Sequence, residues 1–188
     1  MKGYKTKIDN IKMNNTKRYI LTVIFMALSV VWMAVIYVFS SQTGEESGSL
    51  SNNIARLLCN VLKLEAEGSS FERLTFLIRK SAHFTEYGIL GFLYMSVLIL
   101  WSRAVKYRLP IVTLMCMIYA VTDEFHQSFI SGRSPAVFDV VIDTAGGFTG
   151  GAVCLLIMYG YIKIRERHGN RKEENKNDSR KNGRFCGK

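Results

Sequence analysis

DEFHQSFISGRSPAVFDVVIDTAGG, residues Asp123 to Gly147, decides how this chain is read. It joins two apolar runs of the kind that cross membranes, yet it holds Asp123, Glu124, His126, Arg133, Asp139 and Asp143. An ionisable group near hydrocarbon is expensive, so each marks a candidate functional position. On a helix, Asp123, His126 and Gln127 stand at i, i+3 and i+4 and share one face. Asp139 and Asp143, at i and i+4, share a face of the next helix. Between them, Ser131-Gly132-Arg133-Ser134-Pro135 reads as a tight loop, because Gly and Pro break both flanking patterns. The hairpin thus brings two polar faces to one depth, with Arg133 at its tip.

Working outward, RKSAHFTEY (Arg79 to Tyr87) has the same mixed character and supplies Lys80, His83 and Glu86. Tyr19 to Phe39 carries no charge and is long enough for roughly 30 Å of hydrocarbon. No A-x-A-like cleavage site follows it, so it reads as an uncleaved first helix. Further apolar runs cover about Ala82–Trp101, Leu109–Phe125 and Val137–Ile162. The pattern predicts an all-α, polytopic membrane protein with four transmembrane helices. Between the first two runs, Leu50, Ile54, Leu57, Leu58, Val61 and Leu62 recur at helical spacing. This predicts an extracytoplasmic amphipathic helical segment over residues 49–64, either on the membrane surface or covering the bundle. Ser69 and Glu72 fit a capping box for the helix that follows. Gly146, Gly147, Gly150 and Gly151 form two overlapping GxxxG patterns, which read as close helix packing.

The chain has 188 residues, 48% of them hydrophobic, and a net charge of +10. The positive charge concentrates in the two tails and in the Arg103–Arg108 loop, flanking the apolar runs. That is topology information, and no nucleic-acid reading motif accompanies it. Three segments follow: a basic N-terminal segment (1–18), a four-helix membrane domain (19–162) and a basic tail (163–188) expected to be disordered. The positive-inside rule places both termini and the middle loop in the cytoplasm. All the polar candidates then fall in the extracytoplasmic half of the bundle, together with Ser40, Ser41 and Gln42. The inner half has no matching polar lining, which argues against a pore. Cys59, Cys116, Cys154 and Cys186 form no CxxC pair, so they read as small hydrophobes rather than a zinc or redox motif.

Taken together, Phe39-Ser40-Ser41-Gln42, Lys80-x-x-His83-Phe84-x-Glu86-Tyr87-x-x-Leu90, Asp123-Glu124-x-His126-Gln127-x-Phe129, and then Arg133, Asp139, Asp143 and Gly146-Gly147 resemble the pattern of the VanZ-like family of membrane proteins. The resemblance runs from about Phe39 to Gly151. It implies a bacterial cell-membrane location at the cell envelope. It also implies a link to glycopeptide resistance, the founding member being associated with reduced teicoplanin susceptibility. A family does not by itself supply a mechanism.

Three readings of the site stay open. In the first, Lys80, Gln127, Arg133, Asp139 and Asp143 bind an amphiphilic or anionic envelope ligand, such as a lipid-linked cell-wall precursor or a lipoglycopeptide. Arg offers phosphate or carboxylate a bidentate fork. In the second, His83, Glu86, Asp123 and His126 do acid–base chemistry on a lipid-linked substrate, or hold a divalent metal that activates water. In the third, the residues form a structural polar network. The excess of carboxylates over Arg79, Lys80 and Arg133, with two histidines present, asks for a cation, for protons or for an aqueous cavity.

Overall fold

The computed structural model describes residues 14–63, 67–101, 107–134 and 136–185. The described residues form five helices and no strand: α1 (Asn15–Ser40), α2 (Gly44–Leu62), α3 (Gly68–Trp101), α4 (Arg108–Gln127) and α5 (Val137–Phe185). Residues Met13–Cys154 make one compact unit. That unit holds α1 to α4, the first turns of α5 and every site residue discussed below.

Among the described residues, three helical segments are long and apolar enough to cross a membrane: Asn15–Ser40, Gly68–Trp101 and Val137–Arg165. The fourth expected crossing, α4, has 20 residues and carries Asp123, Glu124 and His126 in its last turns, which dilute its apolar character. Beyond Arg165 the helix continues to Phe185, into the segment expected to be disordered. A helix already nucleated is extended at little cost by Lys, Arg and Glu, which are good helix formers.

Helix α1 starts at Asn14, whose Oδ1 accepts from the backbone N–H of Thr16 (3.2 Å). It buries Thr22, Ser29, Ile36 and Ser40, while Val30, Val31 and Val38 stay exposed. Apart from Ile36 the inward stripe is small and polar and the outward one aliphatic, the arrangement of a helix packed in lipid rather than water. The Thr22 and Ser29 hydroxyls donate to the carbonyls of Arg18 and Phe25 one turn back, so their burial leaves no orphan group. Two aromatic side chains fasten α1 to its neighbours. Trp32 Nε1 donates to the Glu86 carbonyl of α3 (2.9 Å), and Tyr119 of α4 donates to the Met33 carbonyl (2.7 Å).

Glycines bring α3 and α5 together. A Cβ at Gly150 would stand 1.8 Å from the Gly88 carbonyl oxygen, and one at Gly91 would stand 2.1 Å from that of Gly147. The backbones touch, as the GxxxG patterns led us to expect. Tyr87, Leu90, Met95, Val112, Cys116 and Ala120 fill the interior between α3 and α4. Cys59, Cys116 and Cys154 are buried and free, in keeping with their reading as small hydrophobes.

Helix α2 opens on a capping box at Thr43 and Glu46. Thr43 Oγ1 accepts from the Glu46 N–H (3.2 Å), and the Glu46 carboxylate accepts from the Thr43 N–H (2.8 Å). The box expected at Ser69 and Glu72 marks no helix start, because α3 already runs from Gly68. Helix α2 packs antiparallel to the first turns of α3: Gly48 lies beside Arg79, and Arg56 sits over the Phe71 ring at 5.9 Å.

Candidate functional site

The α4–α5 hairpin turns at Gly132, whose φ of +73° suits glycine, and the loop presses on the start of α2. Gly44 N–H donates to the Ser131 carbonyl (3.1 Å), and a Cβ at Gly44 would fall 1.9 Å from the Gly132 oxygen. Two glycines are thus needed for the loop to seat against α2. Glu124 begins the return, its Oε2 accepting from the Ala136 N–H (2.9 Å) just ahead of α5.

Arg133 is a strap. Its Nε donates to the Gln42 carbonyl (3.1 Å), its Nη1 to Gln127 Oε1 (3.2 Å) and its Nη2 to the Phe39 carbonyl (3.4 Å). Gln127 Nε2 in turn donates to Asp123 Oδ2 (3.1 Å), so the loop, α1 and α4 are joined in one network. Arg133 pairs with neither Asp139 nor Asp143, although both follow it in the same hairpin. Three of its five N–H donors are committed and two remain. Burial, followed by the nearby Arg79 guanidinium, lowers the Arg133 pKa from its usual value.

Asp139 and Asp143 find partners on α3 instead. Lys80 Nζ contacts Asp139 Oδ1, and His83 Nδ1 lies 3.6 Å from Asp143 Oδ1. Asp143 is fully buried, and neither of its oxygens has a hydrogen-bond partner; the same holds for His83 Nδ1 and the Tyr87 hydroxyl. Buried groups of this kind are costly and rare in folded chains.

The polar ends of α1, α3 and α4 meet α2 and the loop around a cleft with about 80 Å³ of internal space. Its lining includes Arg79, His83, Glu86, Asp123 and Arg133 together with the apolar Leu50, Ile54 and Ile78. At roughly 10–15 Å³ of probe volume per water, that space admits a few waters or one small anionic group. Arg79 Nε is buried without a hydrogen-bond partner, and Arg79 makes no ion pair among the described residues.

His83, Glu86, Asp123 and Arg133 therefore come together, and Gln127 supports them from beneath. His126 does not join them. Its Nε2 lies 3.2 Å from Ser41 Oγ, and its ring packs on Tyr37 at 4.7 Å between centroids. Among the described residues, no three His, Cys, Asp or Glu side chains are grouped at metal-binding spacing. The set His83, Glu86, Asp123 and His126 does not fit a metal, because His126 is turned toward α1. Lys80 and Asp139 satisfy each other at the α3–α5 seam. Arg79, not Lys80, is the basic residue of this helix that lines the cleft. Arg79, His83 and Glu86 stand at i, i+4 and i+7, the spacing of one helix face. That signal is present in the sequence.

The VanZ/LLP1 family model matches residues 25–158. No curated protein and no solved structure matches the chain. The matched span runs from within α1 through the membrane part of α5 and contains every residue of the cleft. This chain belongs to the VanZ/LLP1 family.

Proposed function

We propose that this protein sits in the bacterial cell membrane with four crossings and both termini cytoplasmic. In this reading its outward-facing cleft binds the anionic headgroup of an amphiphile from the outer leaflet. The class expected is a lipid phosphate, as in a lipid-linked cell-wall precursor, or the acidic end of a lipoglycopeptide. One observation carries the reading: Arg79 shares the cleft with Arg133, its Nε is buried without a partner, and it pairs with no carboxylate among the described residues. A guanidinium that makes no ion pair of its own, beside a second one, offers an anion two forks even with Glu86 and Asp123 in the same cleft. The apolar lining of Leu50, Ile54 and Ile78 offers the same ligand a place for its chain. Such a ligand links the family's association with teicoplanin susceptibility to a physical act, the capture of an envelope amphiphile.

The test is thermal unfolding of the purified protein in neutral detergent, with phosphatidic acid or with phosphatidylcholine. A ligand that binds the native state stabilises it by about 2.7 kcal/mol at a hundredfold excess over Kd. Phosphatidic acid should raise the midpoint for the wild type and not for Arg79→Gln, and phosphatidylcholine should do neither. Equal shifts in both proteins would overturn the reading.

A second reading has its own observation. The His83–Asp143 pair has the form that orients a general base, with Glu86 in the same cleft. Turnover of a lipid-linked substrate that is lost in His83→Gln, with phosphatidic acid binding retained, would favour acid–base chemistry over simple binding.

A further inference from the structure

Helix α2 buries the wrong face for a cover. Its packing face is Ser51, Ala55 and Cys59, all small and all buried. Its large apolar residues point elsewhere: Leu57, Val61 and Leu62 are each more than three-fifths exposed, and Leu50 and Ile54 more than two-fifths. At about 100° per residue, the helix has three faces roughly a third of a turn apart. One packs, one is apolar (Leu50, Ile54, Leu57, Val61), and one is polar (Ser49, Asn52, Arg56, Asn60). Had α2 evolved to cap the bundle, the apolar face would be the packed one.

We infer that the apolar face of α2 is sunk among the acyl chains of the outer leaflet, making α2 an interfacial helix that borders the cleft on its lipid side. The exposed apolar surface is continuous with that of α1: Leu50 and Ile54 share the cleft rim with Phe39, next to the exposed Tyr37 and Val38. Depth agrees. Helix α3 has 34 residues, hence a length of about 51 Å. At the average transmembrane tilt of roughly 20° it projects about 48 Å, slightly more than the roughly 40–45 Å of a bilayer with both interfacial layers. Its first turns, and α2 packed along them, then lie at the outer interface and not in bulk water. A helix with separate apolar and polar flanks suits that boundary, one flank in hydrocarbon and the other toward water. It follows that the cleft opens sideways to lipid at Leu50 and Ile54. This inference rests on the proposed orientation, which makes this leaflet the outer one, and not on the anion reading.

The test uses nitroxide labels on the full-length protein in phosphatidylcholine vesicles, with the native cysteines replaced by alanine. Labels enter at Leu57→Cys and Val61→Cys on the apolar flank and at Asn52→Cys on the polar one. Collision with dissolved oxygen, which concentrates in lipid, is compared with collision with a water-soluble nickel chelate. Oxygen should dominate at the first two sites and the nickel chelate at Asn52. Nickel dominance at all three would place the apolar flank in water and overturn the inference. Spin–spin broadening at Leu57 and Val61, abolished by dilution with unlabelled protein, would show a second copy on this face and overturn it equally. Unchanged unfolding midpoints would show that the labelled proteins keep the fold.

Discussion

Replacing Arg133 by Lys separates strap from clamp. Were Arg133 merely an exposed ion-pair partner, the change would cost little, since such a pair is worth roughly 0–1 kcal/mol. The contacts say otherwise. Arg133 holds Gln42, Gln127 and Phe39 through three different nitrogens at 3.1, 3.2 and 3.4 Å. A lysine ammonium cannot span all three, because its donors radiate from one atom. The Phe39 contact is long and exposed, and the freed carbonyl can turn to water, so it adds little. The other two are part-buried and charge-assisted, nominally about 1.5–3 kcal/mol each. Lysine should recover one of them, and solvent screening discounts the other to about 1–2 kcal/mol. For a chain of this size that corresponds to a fall of about 2–8 °C in unfolding midpoint. The assay is thermal unfolding of purified protein in a neutral detergent, with Arg79→Lys as comparison. Arg79 makes no ion pair among the described residues, so its variant should melt like the wild type. A wild-type midpoint for Arg133→Lys, or an equal loss in Arg79→Lys, would refute the assignment of Arg133 as the strap.

Other expectations follow from the same geometry. Gly150→Ala drives a methyl into the Gly88 carbonyl at 1.8 Å and should cost about 3 kcal/mol or prevent folding. Gly160→Ala meets nothing within 4 Å and should melt at or slightly above wild type, both being read by detergent unfolding. Bonds from the Thr43 backbone and hydroxyl hold the Glu46 pKa below its ordinary 4.5. Its support of α2 is therefore complete above that value and lost as pH falls through the lower, folded one. Hydrogen exchange at the first α2 amides should accelerate across that acidic window relative to Glu46→Gln, which should show no such extra step. Finally, Ser131→Cys should react with an impermeant thiol reagent in intact cells and Asn14→Cys should not; the reverse pattern would invert the membrane orientation.

The sequence disclosed the helices because lipid-packed helices advertise themselves by long uncharged runs. Residues 19–39 lie within α1, which starts four residues earlier at Asn15 and ends at Ser40, and the run from Val137 became the start of α5. The GxxxG glycines were legible for a similar reason, since spacing alone fixes a face and small size alone permits contact. Pairing was less legible. Asp139 and Asp143 pair with Lys80 and His83, more than fifty residues earlier, and only the glycine-mediated approach of α3 to α5 creates those pairs. His126 misled because its spacing from Asp123 is right for one face, while the ring turns to Tyr37 and Ser41 on α1. The apolar periodicity of α2 announced a helix but not which face would pack. The packing face is small and silent in a hydrophobicity pattern. The choice between Arg79 and Lys80, adjacent in sequence, was decided by 100° of helix rotation. One of them faces Asp139 and the other faces the cleft.

The central claim is that Arg79 receives an anionic headgroup. The most direct measurement is native mass spectrometry of protein released from vesicles that contain phosphatidic acid and phosphatidylcholine in equal amounts. The wild type should retain phosphatidic acid preferentially. So should Arg73→Gln, which alters an exposed arginine on the same helix, whereas Arg79→Gln should lose the preference. Equal retention of phosphatidic acid by the wild type and Arg79→Gln would contradict the account.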